Sequence, residues 1–272
     1  MQNYSISPPE IARSAWRNRS LLRAMMSREV IGRYRGSVFG ILWSFFNPVF
    51  MLTVYTFVFS VIFKARWGTT GSTRTEFALI LFAGLIVFNL FAECFTKAPM
   101  LILSNTNYVK KVVFPLEILP WVALGSALFH TSISLLVWII AYAILLGPPH
   151  LTILLFPLTL APLVLFIMGV SWALASLGVF LRDVSQFIGI VTTVLMFMSP
   201  IFYPASAFPE EYRPILFLNP LSPAIEQARD VLFWGRIPDF TMLAQYLTGS
   251  AIIAWMGFAW FQKTRKGFAD VL

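Results

Sequence analysis

Long uninterrupted apolar runs alternate with short polar segments along this chain. Residues 37–63 read SVFGILWSFFNPVFMLTVYTFVFSVIF and carry no charge. At a rise of about 1.5 Å per residue, a helix of that length reaches across a hydrocarbon core of roughly 30 Å. Further runs follow at 77–95, 118–146, 151–180, 185–203 and 240–261. Lipid offers the backbone no hydrogen-bond partner, so such runs predict helices. The expected fold is an all-α membrane protein with six transmembrane helices. Residues 1–36 form an amphipathic interface segment, 37–262 a single six-span domain and 263–272 a tail. The first run is not a cleavable leader: it begins late, is too long, and lacks a small-residue cleavage site.

The polar segments have their own patterns. Ser7-Pro8-Pro9-Glu10 fits a capping box, with Ser7 as N-cap and proline in the first turn. Ile11, Ala15, Leu22, Met25 or Met26, and Val30 then recur at near-helical spacing among arginines. They predict an amphipathic helix on the membrane surface with Trp16 at headgroup depth, or else a solvated basic arm. Gly32, Gly36, Gly40 and Ser44 recur every four residues. That spacing permits close helix packing, or marks a flexible joint before the first span. Pro48 cannot donate to the Ser44 carbonyl, which predicts a kink near Asn47-Pro48. Residues 96–120 are too polar to span and predict one or two short surface helices. Between spans five and six, prolines at 204, 209, 214, 220 and 223 punctuate EEYRPILFL and PAIEQARDVLFW. These two short segments are expected to re-enter the outer leaflet, the second with Ser222 as N-cap, Pro223 at N1 and Gly235 at C′.

Charge fixes the expected orientation. Seven arginines, from Arg13 to Arg35, precede the first span. With the N-terminus inside and six spans, inside segments hold 14 of the 20 Lys and Arg residues and outside segments 6. The positive-inside rule then places both termini in the cytoplasm. The net charge of +8 reflects these membrane-border cations and implies no nucleic acid.

Candidate chemistry is sparse. Cys94 is the only cysteine, which excludes a disulfide framework and a cysteine metal site. There is no G-x-x-x-x-G-K-[ST] phosphate loop, so the chain is not expected to hydrolyse ATP alone. No H-E-x-x-H and no carboxylate pair lies within a span, so neither a metal nor a catalytic residue is expected. His130 is the one ionisable residue near mid-span and reads as a hydrogen-bonded packing residue. Aromatic residues are abundant: 27 Phe, 9 Trp and 8 Tyr. Lipid contact and interface belts explain most of them. The cluster in the first span marks candidate conduit residues: Trp43, Phe45, Phe46, Asn47 and Tyr55. Aromatic faces stack on sugar rings without demanding a particular order of hydroxyls.

The sequence resembles the membrane (permease) subunits of ABC-2-type polysaccharide exporters, the capsular polysaccharide and O-antigen export family. The likeness covers nearly the whole chain. It is carried by RYRGSVFGILWSFFNPVFMLTVYTFVFSVIFK at 33–64, NYVKKVVFPLEILP at 107–120 and SPIFYPASAFPEEYRPILFLNPLSP at 199–223. It implies a homodimer in the bacterial inner membrane, paired with two copies of a cytoplasmic ATPase that holds the ATP and Mg. It implies a lipid-linked polysaccharide as substrate, with membrane lipids and periplasmic export proteins as further partners. It also implies an N-terminal interface helix, a cytoplasmic coupling helix near 96–114 and re-entrant extracellular helices at 204–236. Tyr108, Lys110, Lys111 and Phe114 become the candidate ATPase contacts, and Gly36, Gly40 and Pro48 the kink and packing positions.

Two other readings remain open at this point. One is an ABC-2 permease for a lipid, a drug or teichoic acid. The other is an intramembrane enzyme acting on a lipid-linked sugar, for which Glu76, Glu93, Glu117 and Asp183 are the available carboxylates.

Overall fold

The computed structural model describes residues 5–62, 67, 74–110, 114–212, 216 and 219–272. All regular structure among them is helical. The basic N-terminal segment forms two helices, α1 (Pro8–Arg17) and α2 (Arg19–Arg33). They divide at Asn18, whose backbone leaves the helical region (φ −101°, ψ 19°) while its amide donates to the Ser14 carbonyl at 2.8 Å. Ser7 sits at the N-cap, yet its hydroxyl makes no capping bond. Glu10 pairs with Arg17 at 3.0 Å instead of closing a capping box.

Among the described residues, five helical stretches are long and apolar enough to cross a membrane: Gly40–Phe59, Thr75–Met100, Leu116–Leu145, Leu151–Phe180 and Phe240–Val271. The chain is thus a multi-pass membrane protein. The first stretch contains α3 (Trp43–Tyr55), which runs on through Pro48 and widens into a π-helical segment at Thr56–Ile62. The second is α4 (Arg74–Lys97). After the short α5 (Thr106–Lys110) come α6 (Leu119–Leu145) and α7 (Phe156–Phe180).

The predicted span at 185–203 is shorter than expected. It forms α8 (Val184–Met198), 15 residues that end where Ser199 turns extended (φ −86°, ψ 148°). Pro200 follows, and the residue before a proline is pushed out of the helical region. At 1.5 Å per residue α8 covers roughly 22 Å, less than the hydrocarbon core. Next are α9 (Leu221–Leu232), α10 (Phe240–Thr264) and the terminal turn α11 (Phe268–Val271).

The bundle is organised around α4 rather than the first span. The apolar window of Thr75–Met100 is 83% buried, against 11% for Gly40–Phe59. Phe77 to Phe88 is apolar on every side, and a helix apolar all round belongs inside a bundle. The backbones of α7 and α10 cross in close contact. A Cβ on Gly257 would overlap the Gly169 carbonyl oxygen, so only glycine permits this approach. Gly36 and Gly40 play a different part. Both have positive φ, +85° and +51°, and a Cβ added at either would meet open space. Within this chain they are the joint between α2 and α3.

At the end of the bundle opposite the termini, α9 is held by a buried arginine. Arg229 donates to the carbonyls of Ile80 (3.1 Å), Pro200 and Ile201 (2.8 Å). Its guanidinium also lies 4.4 Å from the centre of the Trp67 ring. Burial pulls the Arg229 pKa down to about 9, so it remains protonated at neutral pH. The N-cap falls at Pro220, two residues before the expected Ser222. Asn219 accepts from the Leu221 N–H at 3.0 Å and donates to Ser199 at 2.9 Å. Ser222 then falls inside the first turn. Gly235 has positive φ (+65°) after the helix ends. The segment EEYRPILFL lies partly outside the described residues.

Candidate functional site

A cavity lined by polar and charged side chains lies between α3, α4 and α6, beside the α2–α3 joint. It has a volume of about 610 Å³. Its mouth, at the end that carries the termini, is lined by Arg33, Tyr34, Glu93, Thr96 and Lys97. Deeper in, Asn47, Met51 and Tyr55 of α3 face Phe82 and Asn89 of α4, with His130 and Ser134 of α6.

The charges at the mouth form one connected network. Arg33 donates to Glu93 at 2.7 Å. Lys97 donates to Glu93 at 3.0 Å and to Glu29 at 2.9 Å. His130 Nδ1 lies 3.1 Å from the other Glu93 oxygen, and its Nε2 lies 3.2 Å from the Tyr34 hydroxyl. Burial holds the Tyr34 phenol above its ordinary pKa, so it stays protonated. The arrangement has a physical reason. A carboxylate one helical turn from Lys97 on the same face bonds it locally. A half-buried carboxylate also needs every oxygen paired.

The structure separates the conduit candidates into two groups. Asn47 and Tyr55 lie on the crevice wall, with Pro48 and Ser44 beside them. Trp43, Phe45 and Phe46 do not line it. With Phe39 they form an edge-to-face cluster at the start of α3, ring centres 5.8–6.4 Å apart. Ser44 turns its hydroxyl back onto the Ile41 carbonyl at 2.7 Å.

The coupling candidates occupy the same end of the bundle. Tyr108 stacks on Phe114 with ring centres 4.3 Å apart and planes 12° apart. Arg28 of α2 donates to the Tyr108 hydroxyl at 3.0 Å. Both aromatics are thereby half-buried against their own chain. Lys110 is exposed, as are Met100, Ser104 and Asn107. Lys111 lies outside the described residues. Three of the four carboxylates weighed for an enzyme lie in separate places. Glu93 belongs to the crevice network, Glu117 pairs with Arg265, and Asp183 is exposed at the α7–α8 turn.

Arg33, Tyr34, Asn89, Glu93, Lys97 and His130 were not among the sequence candidates for the conduit. One signal pointed to Asn89: it is the only polar residue between Phe77 and Ala92.

Comparison with known proteins decides the family. Residues 20–233, from α2 through α9, match the ABC-2 type transporter family. The chain belongs to that family. It is 28% identical over 254 residues to the O-antigen export system permease protein RfbA of Klebsiella pneumoniae, covering 93% of this chain and 95% of that protein. It is 26% identical over 262 residues to RfbA of Myxococcus xanthus, covering 96% and 98%. It is 23% identical over 248 residues to the polysialic acid transport protein KpsM of Escherichia coli, covering 90% and 93%. ABC-2 proteins are membrane subunits of transporters rather than enzymes. The crevice is therefore a feature of a transporter's membrane domain.

Proposed function

We propose that this chain is the channel-forming permease subunit of an ATP-driven exporter that moves a lipid-linked polysaccharide across the bacterial inner membrane. The carrying observation is end-to-end similarity to permeases named for O-antigen export and polysialic acid transport. The partner is a separate cytoplasmic ATPase, because the chain has no phosphate loop of its own. The basic end, with both termini, faces the cytoplasm in accord with the positive-inside rule. In this reading α8 and the residues after it complete a sixth crossing, while α9 dips into the outer leaflet and returns. Two copies pair around a conduit wide enough for a glycan. The α3–α4–α6 crevice opens towards the cytoplasm and meets the polymer as it enters.

The reading is tested by deleting the gene in its native host. Surface polysaccharide should disappear and polymer should accumulate inside the cell, with both effects reversed by the wild-type gene. Unchanged surface polysaccharide would reject it.

A further inference from the structure

We propose that the crevice accepts uncharged, hydroxyl-rich sugar units and discriminates against acidic ones. This inference rests on the export reading above and adds the substrate chemistry of one site.

The charges at the mouth are mutually satisfied. Arg33 is bonded to Glu93, and Lys97 is shared between Glu93 and Glu29. The half-exposed Arg33 side chain is also screened by solvent. Two cations and two carboxylates offset one another in this network, so an acidic sugar entering here would meet no net positive charge from it and would sit beside the Glu93 carboxylate. Like charges held together at low dielectric repel strongly.

Beyond the mouth the open hydrogen-bonding groups are neutral. Asn47, Asn89 and Ser134 come from three different helices and line one cavity. Among the described residues, none of the three has a side-chain hydrogen bond. Asn89 is the decisive one. Leu85 to Phe88 and Leu90 to Phe91 are buried to within a few per cent, yet Asn89 is exposed into the crevice. An amide left without partners in an apolar setting is costly. Its position is reasonable only against water or a polar ligand. An asparagine side chain offers two donors and one acceptor oxygen. A sugar hydroxyl both donates and accepts, so adjacent hydroxyls match an amide fully. A carboxylate only accepts, so it pairs with the NH2 groups and leaves the amide oxygens without a donor. Tyr55 and Phe82 add ring surface to the same wall.

The test uses the full chain reconstituted with its ATPase in lipid nanodiscs. Asn89 is changed to Cys after the buried native Cys94 is changed to Ser. The rate of modification by an uncharged, water-soluble maleimide is then measured. Labelling should occur, and maltoheptaose, a neutral hexose oligomer, should slow it several-fold. A sialic acid oligomer of equal length should leave the rate unchanged. Asn47→Cys serves as the second position, so failure of one variant to fold does not end the test. Absence of labelling at the folded variants, equal protection by both oligomers, protection by the acidic one alone, or protection by neither would each overturn the inference. The export reading stands or falls separately on the surface polysaccharide of the deletion strain.

Discussion

Arg265, in the turn after α10, reaches Glu117 just before α6 and closes an ion pair across 148 positions of sequence. Both side chains are buried, at 10% and 8% exposure. The second guanidinium nitrogen donates to the Phe114 carbonyl at 2.7 Å. Ser14 of α1 donates to the other Glu117 oxygen at 2.9 Å, and the Trp172 indole donates to the Glu117 carbonyl at 3.0 Å. Four segments far apart in sequence thus meet around one residue, Glu117: α1 and the tail at its carboxylate, α7 at its backbone carbonyl, and the residues after α5 that carry it.

Removing one partner of a buried pair strands the other charge, at a cost of about 3–5 kcal/mol. Glu117→Ala and Arg265→Ala should each sharply lower the fraction of monodisperse protein after extraction, and lower its Tm. The double variant should lose clearly less than the two single losses combined, since residues in direct contact couple by about 0.5–3 kcal/mol. Strictly additive losses in Tm would show that the pair does not hold the junction.

The crossing of α7 and α10 gives a second prediction with an internal control. Gly257→Ala puts a methyl onto the Gly169 backbone oxygen, which cannot swing aside. Gly249, two turns earlier in α10, has open space around it. Gly249→Ala should be neutral or stabilising by up to about 1 kcal/mol from helix propensity. Gly257→Ala should separate the helices and reduce folded yield. The comparison is read by thermal unfolding of both purified variants. Equal Tm values would rule out the close approach.

These two sites show which features of the fold were readable in the sequence. The apolar runs announced five of the spans, because lipid forces an uninterrupted apolar helix to declare itself. The fifth run, 185–203, read correctly as apolar, but Ser199-Pro200 cut its helix short, and length along a run does not reveal that stop. The crevice was legible only in part. Asn47 and Pro48 were found from a kink argument. Arg33, Glu93 and His130 were not joined, because they lie on three helices at separations of 60, 37 and 97 positions. Periodicity assigns each residue a face on its own helix, but does not say which face it meets. Gly36 and Gly40 had the spacing of a packing motif, whereas the close crossing in this chain used Gly169 and Gly257, which have no such repeat.

The ATPase contact is predicted from what the chain leaves uncovered. Tyr108 and Phe114 stack on each other, and Tyr108 is tied to Arg28. Their alanine variants should first lower folded protein. Met100, Asn107 and Lys110 are exposed at the same end of the bundle. Met100→Asp and Lys110→Glu should leave the permease monodisperse and weaken its co-purification with the ATPase. Alanine at Tyr108 that spares folding yet abolishes co-purification would return the docking role to the aromatics.

The last prediction concerns Asn47 and Pro48, adjacent in α3 and both on the crevice wall. Asn47 is exposed and Pro48 buried, so they present the two faces of one turn. Proline in a helix interior removes a hydrogen bond and clashes with the preceding turn, at a cost of about 3 kcal/mol. Pro48→Ala should therefore restore the backbone hydrogen bond that proline removes and stabilise α3 locally, while shifting the Asn47 amide relative to Asn89 and Ser134. Asn47→Leu should keep the backbone and remove only the polar group. If the crevice guides the glycan, Asn47→Leu should assemble at normal abundance and deliver less polysaccharide to the cell surface. Pro48→Ala should show a raised Tm together with reduced export. If Asn47 only stabilises this turn of α3, its leucine variant should lose folded protein before any export defect appears. Surface polysaccharide and membrane abundance measured on the same cells separate the outcomes. Full export by both variants at normal abundance would remove this turn from the transport path.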